Sequence, residues 1–339
     1  MTAAAVPAGI VLPRPAGRSL LWIAPLTLLW ILLIYWQPAI SASGVPTAAP
    51  RLMTYGLIGL GLWLNLESTD LPSGRRRTTW LAVMIPYTLW MAVAWSAAIN
   101  GVFFTGASPP PLPLLPLAIF LPVIIGAPLL LLSKRVGQVL DAMPASWLVA
   151  LQLYRVFGSW ALAAGLRGAL PSVFGVPSGI GDVLTGVLAV PAAIAVATGT
   201  AQGRRAAIAW NVLGLADFAV AITLGFITSP GRFQLIVPGV PSIGAGAYPG
   251  VLTPALVVPS SILLHALSLR QLRRRSQGGG GTSGPGRAER RLPFASRKWR
   301  LRGNFGHPSC RQPPAAERRK RSSRRFSIGP SRGEAQATN

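Results

Sequence analysis

Apolar runs of about twenty residues recur along this chain, and they restrict what it can fold into more than any other feature. A helix rises about 1.5 Å per residue and the hydrocarbon core of a bilayer is about 30 Å thick, so one such run crosses it once. Backbone N–H and C=O groups find no water inside a bilayer, and a helix satisfies them internally. Runs lie near 19–40, 50–66, 80–104, 112–132, 147–168, 179–198, 206–228 and 250–269. The expected fold class is an all-α integral membrane protein with about eight transmembrane helices. The run at 50–66 is short, and the one at 250–269 is interrupted by Pro254 and Pro259.

Charge divides the chain. The net charge of +24 resembles a nucleic-acid signature until it is located. Residues 270–339 hold 19 Lys/Arg against 3 Asp/Glu, whereas residues 1–269 hold 13 against 5. From Gly278 onward comes a Gly/Ser/Pro linker and then an Arg- and Ser-rich stretch with few aliphatics, read as a disordered tail. Three segments follow: a cytoplasmic N-terminal segment (1–18), a helical membrane domain (19–269) and a basic, disordered cytoplasmic tail (270–339). The tail suits anionic lipid headgroups. Its aromatics are too sparse for a stacking platform, so nucleic acid is not the expected partner.

Loop charges give orientation. Arg14 and Arg18 precede the first run, Arg75 to Arg77 follow the second, Lys134 and Arg135 the fourth, and Arg204 and Arg205 the sixth. Alternate loops hold only Arg51, Arg167 and Arg232. The positive-inside rule then places both termini in the cytoplasm. Arg14, Arg18 and Ser41-Ala42-Ser43 also resemble a signal peptide, but the apolar run exceeds a typical h-region and contains three tryptophans. An internal repeat is visible as well: Gly44-Val45-Pro46 recurs as Gly175-Val176-Pro177, and Trp80 and Trp210 open corresponding runs. This fits either a parallel 4+4 repeat (19–135 and 146–269) with a pseudo-twofold axis along the membrane normal, or chance likeness between Gly/Pro/Val-rich segments.

Charges inside a bilayer are costly and so become candidate functional groups. Four stand out, Arg155, Asp182, Asp217 and His265, with Gln152 and Asn211 as polar companions. Counting along the runs puts Arg155 and Asp217 about one helical turn apart in depth. The expectation is an Arg155–Asp217 ion pair flanked by a Gln152–Asn211 amide contact. The pair reads either as a latch fixing helix register or as a proton or substrate relay. Asp182 falls at the expected outer start of the sixth run, among Pro177, Gly179 and Gly181; it reads as a helix cap or as part of a transporter site. His265, about one turn from the cytoplasmic end of the last run, reads as an interfacial or hydrogen-bonded residue, with a pH-responsive role as the alternative. Gly56, Gly59, Gly61, Ala161, Ala164 and Gly165 offer small faces for close helix packing.

One cysteine, Cys310, and two histidines exclude an intrachain disulfide and make a His/Cys metal or haem site unexpected, so no cofactor or metal is expected. No Walker loop, HExxH or GxSxG occurs, and an enzyme is the less favoured class. Gln152-x-Tyr154-Arg155-x-x-Gly158, Leu170-Pro171-x-x-Phe174, Gly179-x-Gly181-Asp182 and Trp210-Asn211-x-x-Gly214-x-x-Asp217 resemble a pattern in uncharacterised bacterial multi-pass membrane proteins, over about 147–270. The resemblance implies a bacterial inner-membrane setting and no particular activity. Two functions stand: a permease-like protein with a polar path past Arg155, Asp217 and Asp182, or a non-catalytic scaffold in which the same charges are latches. A cavity reaching the charges favours the first, and a dry, paired core the second.

Overall fold

The computed structural model describes residues 13–37, 45–67, 69–103, 114–231, 233–240 and 242–278, and within them it is all-helical. The 279–339 stretch read as a disordered tail lies outside the described residues, as do residues 1–12 and Cys310. In chain order come α1 (Arg14–Trp36), α2 (Val45–Glu67), α3 (Ser73–Ile99), α4 (Leu114–Leu132), α5 (Lys134–Ala142), α6 (Ala145–Leu166), α7 (Ser172–Ala197), α8 (Ala201–Thr228) and α9 (Val258–Gly278). A π-helical turn at Thr253–Val257 leads into α9. Among the described residues, seven helices are long and apolar enough to cross a membrane: α1, α3, α4, α6, α7, α8 and α9 with its leading turn. They mark a multi-pass membrane protein. The remaining long helix, α2, covers the short run at 50–66; its 23 residues carry Arg51, Asn65 and Glu67, which lower its apolarity.

Burial separates an inner from an outer layer. α6, α7 and α9 are the most buried, and α1, α3 and α4 the least. Leu21, Leu29, Ile124 and Leu129 are all exposed, as lipid-facing side chains would be. α7 lies at the centre, against α1, α6 and α8. Its contact with α6 is backbone on backbone: a Cβ on Gly175 would overlap the Ala161 carbonyl, and one on Gly179 or Gly186 would overlap main-chain atoms of Leu162 or Val156. Small residues at this seam let the helices approach closely, where dispersion and polar contacts substitute for a hydrophobic driving force. The turns are set by Gly168 (φ +72°) between α6 and α7 and Gly199 (φ +69°) between α7 and α8, a left-handed conformation that glycine adopts without strain. Thr200 caps α8, its Oγ1 accepting from the Gly203 N–H at 3.0 Å.

Two expectations are corrected, and one helix is added that the apolar runs do not mark. The sixth run begins seven residues earlier than expected, because Pro177, Gly179 and Gly181 lie within a continuous helix from Ser172. The last run does not end at 269: α9 continues to Gly278, so Arg270 to Arg275 are helical and not part of a disordered tail. Its end holds the ends of α4 and α5. Arg270 donates to the carbonyls of Leu130 (2.7 Å) and Ser133 (3.0 Å), Gln271 to those of Leu140 and Met143, and Arg275 to that of Met143 (2.6 Å). Leu130, Leu140 and Met143 offer carbonyls at helix C-termini, which attract donors and positive charge; Ser133 is the N-cap of α5, and its carbonyl also accepts the Gly137 N–H at 3.1 Å. Finally, α5, between the fourth and fifth runs, forms a short helix that inserts Val139 and Leu140 and keeps Lys134 and Arg135 exposed.

Candidate functional site

Arg155 lies on a 3₁₀ stretch, Leu151–Gly158, inside α6. Such tighter winding within a longer helix often accompanies a functional position. The guanidinium is 2% exposed, and all three nitrogens are engaged. Nε donates to Asp182 Oδ1 at 2.8 Å, and Nη2 bonds both that oxygen and Asp217 Oδ2. Nη1 faces the Gly214 carbonyl at 3.4 Å and His265 Nε2 at 3.3 Å. The Phe218 ring lies 3.9 Å from Cζ, a cation–π contact. An Arg fork suits this task because its donors diverge in one plane and can serve several acceptors together.

The network continues to α9 and has a direction. Asn211 Nδ2 donates to the Ala207 carbonyl (2.7 Å) and to Ser268 Oγ (3.1 Å), leaving Oδ1 as acceptor. His265 Nδ1 lies 2.9 Å from that oxygen and therefore carries the proton. Nε2 is then a lone pair that receives the Arg155 N–H. The imidazole packs against Trp210, with ring centroids 4.9 Å apart, and Trp210 Nε1 donates to the Thr185 carbonyl at 2.9 Å.

Glycines make room for each charged group. A Cβ on Gly158 would overlap the Asp182 carboxylate, one on Gly181 the Asp217 carboxylate, and one on Gly214 the His265 ring. Asp182 is ten residues along α7 from Ser172 and Asp217 eleven residues before Thr228, so both lie about 15 Å from the same end of the bundle. That level is the middle of a bilayer-spanning helix.

The structure thus brings together Arg155, Asp182, Asp217, Asn211 and His265. The expected Arg155–Asp217 pair is present. Asp182 is not a cap at the outer start of its helix; it and Asp217 share one guanidinium. His265 is not interfacial but fully buried, thirteen residues from the end of α9. The Gln152–Asn211 contact does not form: the Gln152 amide is fully buried without a hydrogen-bond partner, and Asn211 turns to α9. Arg51, which the loop charges put in an alternate loop, is buried and bonds Thr253 Oγ1. Its run of Pro50 and Arg51 beginning a short apolar stretch gave no sign of this partner, 202 residues away.

A cavity of about 550 Å³ reaches the cluster. Its rim is formed by Val102 and Phe103 after α3, the start of α4, and Ser229 to Gly231 after α8. Its walls include Trp160, Phe174, Phe218 and Phe226, and its depth is marked by Asp182, Asp217 and Ser178. The Ser178 hydroxyl, one turn before Asp182, is buried and has no partner. Among the described residues no group of three or more His, Cys, Asp or Glu is placed to hold a metal.

Residues 112–273 match a protein family described as Domain of unknown function (DUF8737). The match runs from α4 into α9 and so contains the whole charged cluster. No curated protein matches the chain. No solved structure matches it either.

Proposed function

We propose that this chain is a permease-like membrane protein in which a small solute passes the mid-membrane cluster of Arg155, Asp182 and Asp217. One observation carries the reading: the aromatic cavity ends on both carboxylates, at a depth where a paired but solute-accessible charge has few structural justifications. In this reading the cavity is the outward half of the path, since its rim lies at the end opposite Arg204, Arg205 and α9's basic end. α2 crosses the bilayer with the seven more apolar helices, both termini lie in the cytoplasm, and the setting is a bacterial inner membrane. The 4+4 repeat belongs to the same reading. The 3₁₀ stretch under Arg155 is the natural place for α6 to shift and expose the cluster to the other side.

A second reading has its own support. Every nitrogen of Arg155 is bonded, as in a permanent latch, and a scaffold needs no more. The two separate in a labelling experiment. Cys310 is the only cysteine, so Cys310→Ser with Ser178→Cys leaves one thiol, in the cavity wall. In sealed vesicles of either orientation, a membrane-impermeant maleimide is expected to modify it from the outer face. Under an opposed proton gradient, labelling from the cytoplasmic face is expected to appear. Labelling from neither face under any gradient would leave only the scaffold.

A further inference from the structure

The charge count at the bottom of the cavity is uneven. One guanidinium faces two carboxyl groups, and the other buried cation among the described residues, Arg51, bonds Thr253 and ion-pairs with neither acid. Arg155 uses Oδ1 of Asp182 and Oδ2 of Asp217, so one oxygen of each acid takes no hydrogen bond within the network. Asp182's side chain keeps 21% of its exposure while Arg155's keeps 1%, so the accessible group at the site is the acid and not the guanidinium. Phe218 holds one ring position against Arg155, but Trp160, Phe174 and Phe226 present further aromatic surface to the same cavity. The unpartnered Ser178 hydroxyl, 93% buried, borders the same space.

From these features we infer that the cavity binds a small organic cation with an apolar body, such as a hydrophobic amine or onium ion. Asp182 and Asp217 hold the charge, Ser178 accepts or donates one hydrogen bond, and the aromatic walls cover the apolar part. A volume of about 550 Å³ lies in the range of drug-sized ligand pockets. Aromatic faces add attraction for a cation that cannot shed its charge by losing a proton. An anion meets the accessible acid, and a fully hydrated inorganic ion gains nothing from the apolar wall. The inference takes its site from the permease reading and adds the class of solute; binding itself does not require transport.

The test uses the purified full-length chain in neutral detergent and two probes of like size and opposite charge, tetraphenylphosphonium and tetraphenylborate, followed by equilibrium dialysis. Saturable binding of the cation and not the anion is expected. Asp217→Asn is expected to weaken it about tenfold or more, the loss of one charge-assisted contact. Ala221→Trp puts a large side chain into the cavity wall one turn from Asp217 while keeping all three charged residues, and is expected to abolish binding while thermal unfolding stays unchanged. If Asp217→Asn does not fold, Ala221→Trp decides alone. Equal binding of both probes, or cation binding that survives Ala221→Trp, overturns the inference. Alternating cysteine labelling without cation binding sinks the solute class and leaves the permease, whereas cation binding without alternating labelling does the reverse.

Discussion

At the scale of single residues, the stability of the centre depends on how many acceptors one guanidinium serves. Lysine in place of Arg155 keeps the charge but offers one point donor, and cannot reach Asp182, Asp217, the Gly214 carbonyl and His265 together. Arg155→Lys should therefore behave almost as badly as Arg155→Leu, each costing on the order of 3–5 kcal/mol because buried carboxylates lose their partner. Thermal unfolding in detergent would read this, and a lysine variant as stable as the parent would show that the fork geometry is irrelevant. Gly181→Ala should be comparably damaging, since its Cβ displaces the Asp217 carboxylate, whereas Gly56→Ala, which meets open space, should be neutral. Much of this was readable beforehand: a charge in an apolar run needs an opposite charge at matching depth, and Arg155 and Asp217 meet that rule. Asp182 is hard to place from sequence because Pro177 and two glycines look like a helix end, yet in the packed bundle Gly179 lies against α6 and Gly181 makes room for the Asp217 carboxylate of α8. Arg51's partner and Gln152's lack of one depend on side-chain packing across distant helices, which no spacing rule encodes.

At the scale of elements, the end of α9 acts as a clamp on α4 and α5. Gln271 is fully buried and donates to two carbonyls at the end of α5, and Arg270 donates to two more at the end of α4. Removing both donors strands the Leu130 and Leu140 carbonyls, while Met143 keeps Arg275 and Ser133 keeps the Gly137 N–H. Arg270→Ala with Gln271→Ala should loosen α5 without disturbing the α6–α7–α8 core, and trypsin should then cut rapidly after Lys134 or Arg135; an unchanged digestion pattern would deny the clamp. The neighbouring Asp141–Arg274 pair is bidentate, at 2.9 and 2.5 Å, but half-exposed. Its hydrogen bond from Arg274 holds the Asp141 carboxyl below the ordinary carboxylate range. Because the folded value is the lower one, the stabilisation is present above about pH 4, the unfolded value, and fades as pH falls through the folded value. Solvent screening keeps it small. Asp141→Asn should thus cost little at pH 7 and nothing at pH 2, as unfolding at the two pH values would reveal. The basic residues after 269 looked like the start of a tail because arginines interrupt hydropathy; their role as donors to helix ends became visible only with α5 in place.

For the whole molecule, the decisive question is the parity of crossings, and it turns on α2. Seven helices satisfy length and apolarity among the described residues, and an odd number would put Arg14 and Gly278 on opposite faces. α2 has the length to cross, about 34 Å for 23 residues. Its charge is also placed as in a crossing helix: Arg51 is buried against Thr253 at the head of α9's leading turn, and Asn65 is buried near the other end. Trp80 Nε1 donates to the Gly59 carbonyl at 2.8 Å, tying α2 to the α3 end that carries Arg75 to Arg77. A helix lying in the headgroup plane would have no reason to bury both polar ends inside the bundle while exposing Leu52, Leu60 and Leu64. Eight crossings are therefore expected, with both ends on the Arg-rich side. Fusing an alkaline phosphatase or a fluorescent reporter before Arg14, and separately after Gly278, should give cytoplasmic signals from both; opposite signals would take α2 out of the bilayer. Neutralising Arg75, Arg76 and Arg77 together should weaken the orientation at the α2–α3 turn without inverting the chain, because Lys134, Arg135, Arg204, Arg205 and α9's arginines hold the same side independently.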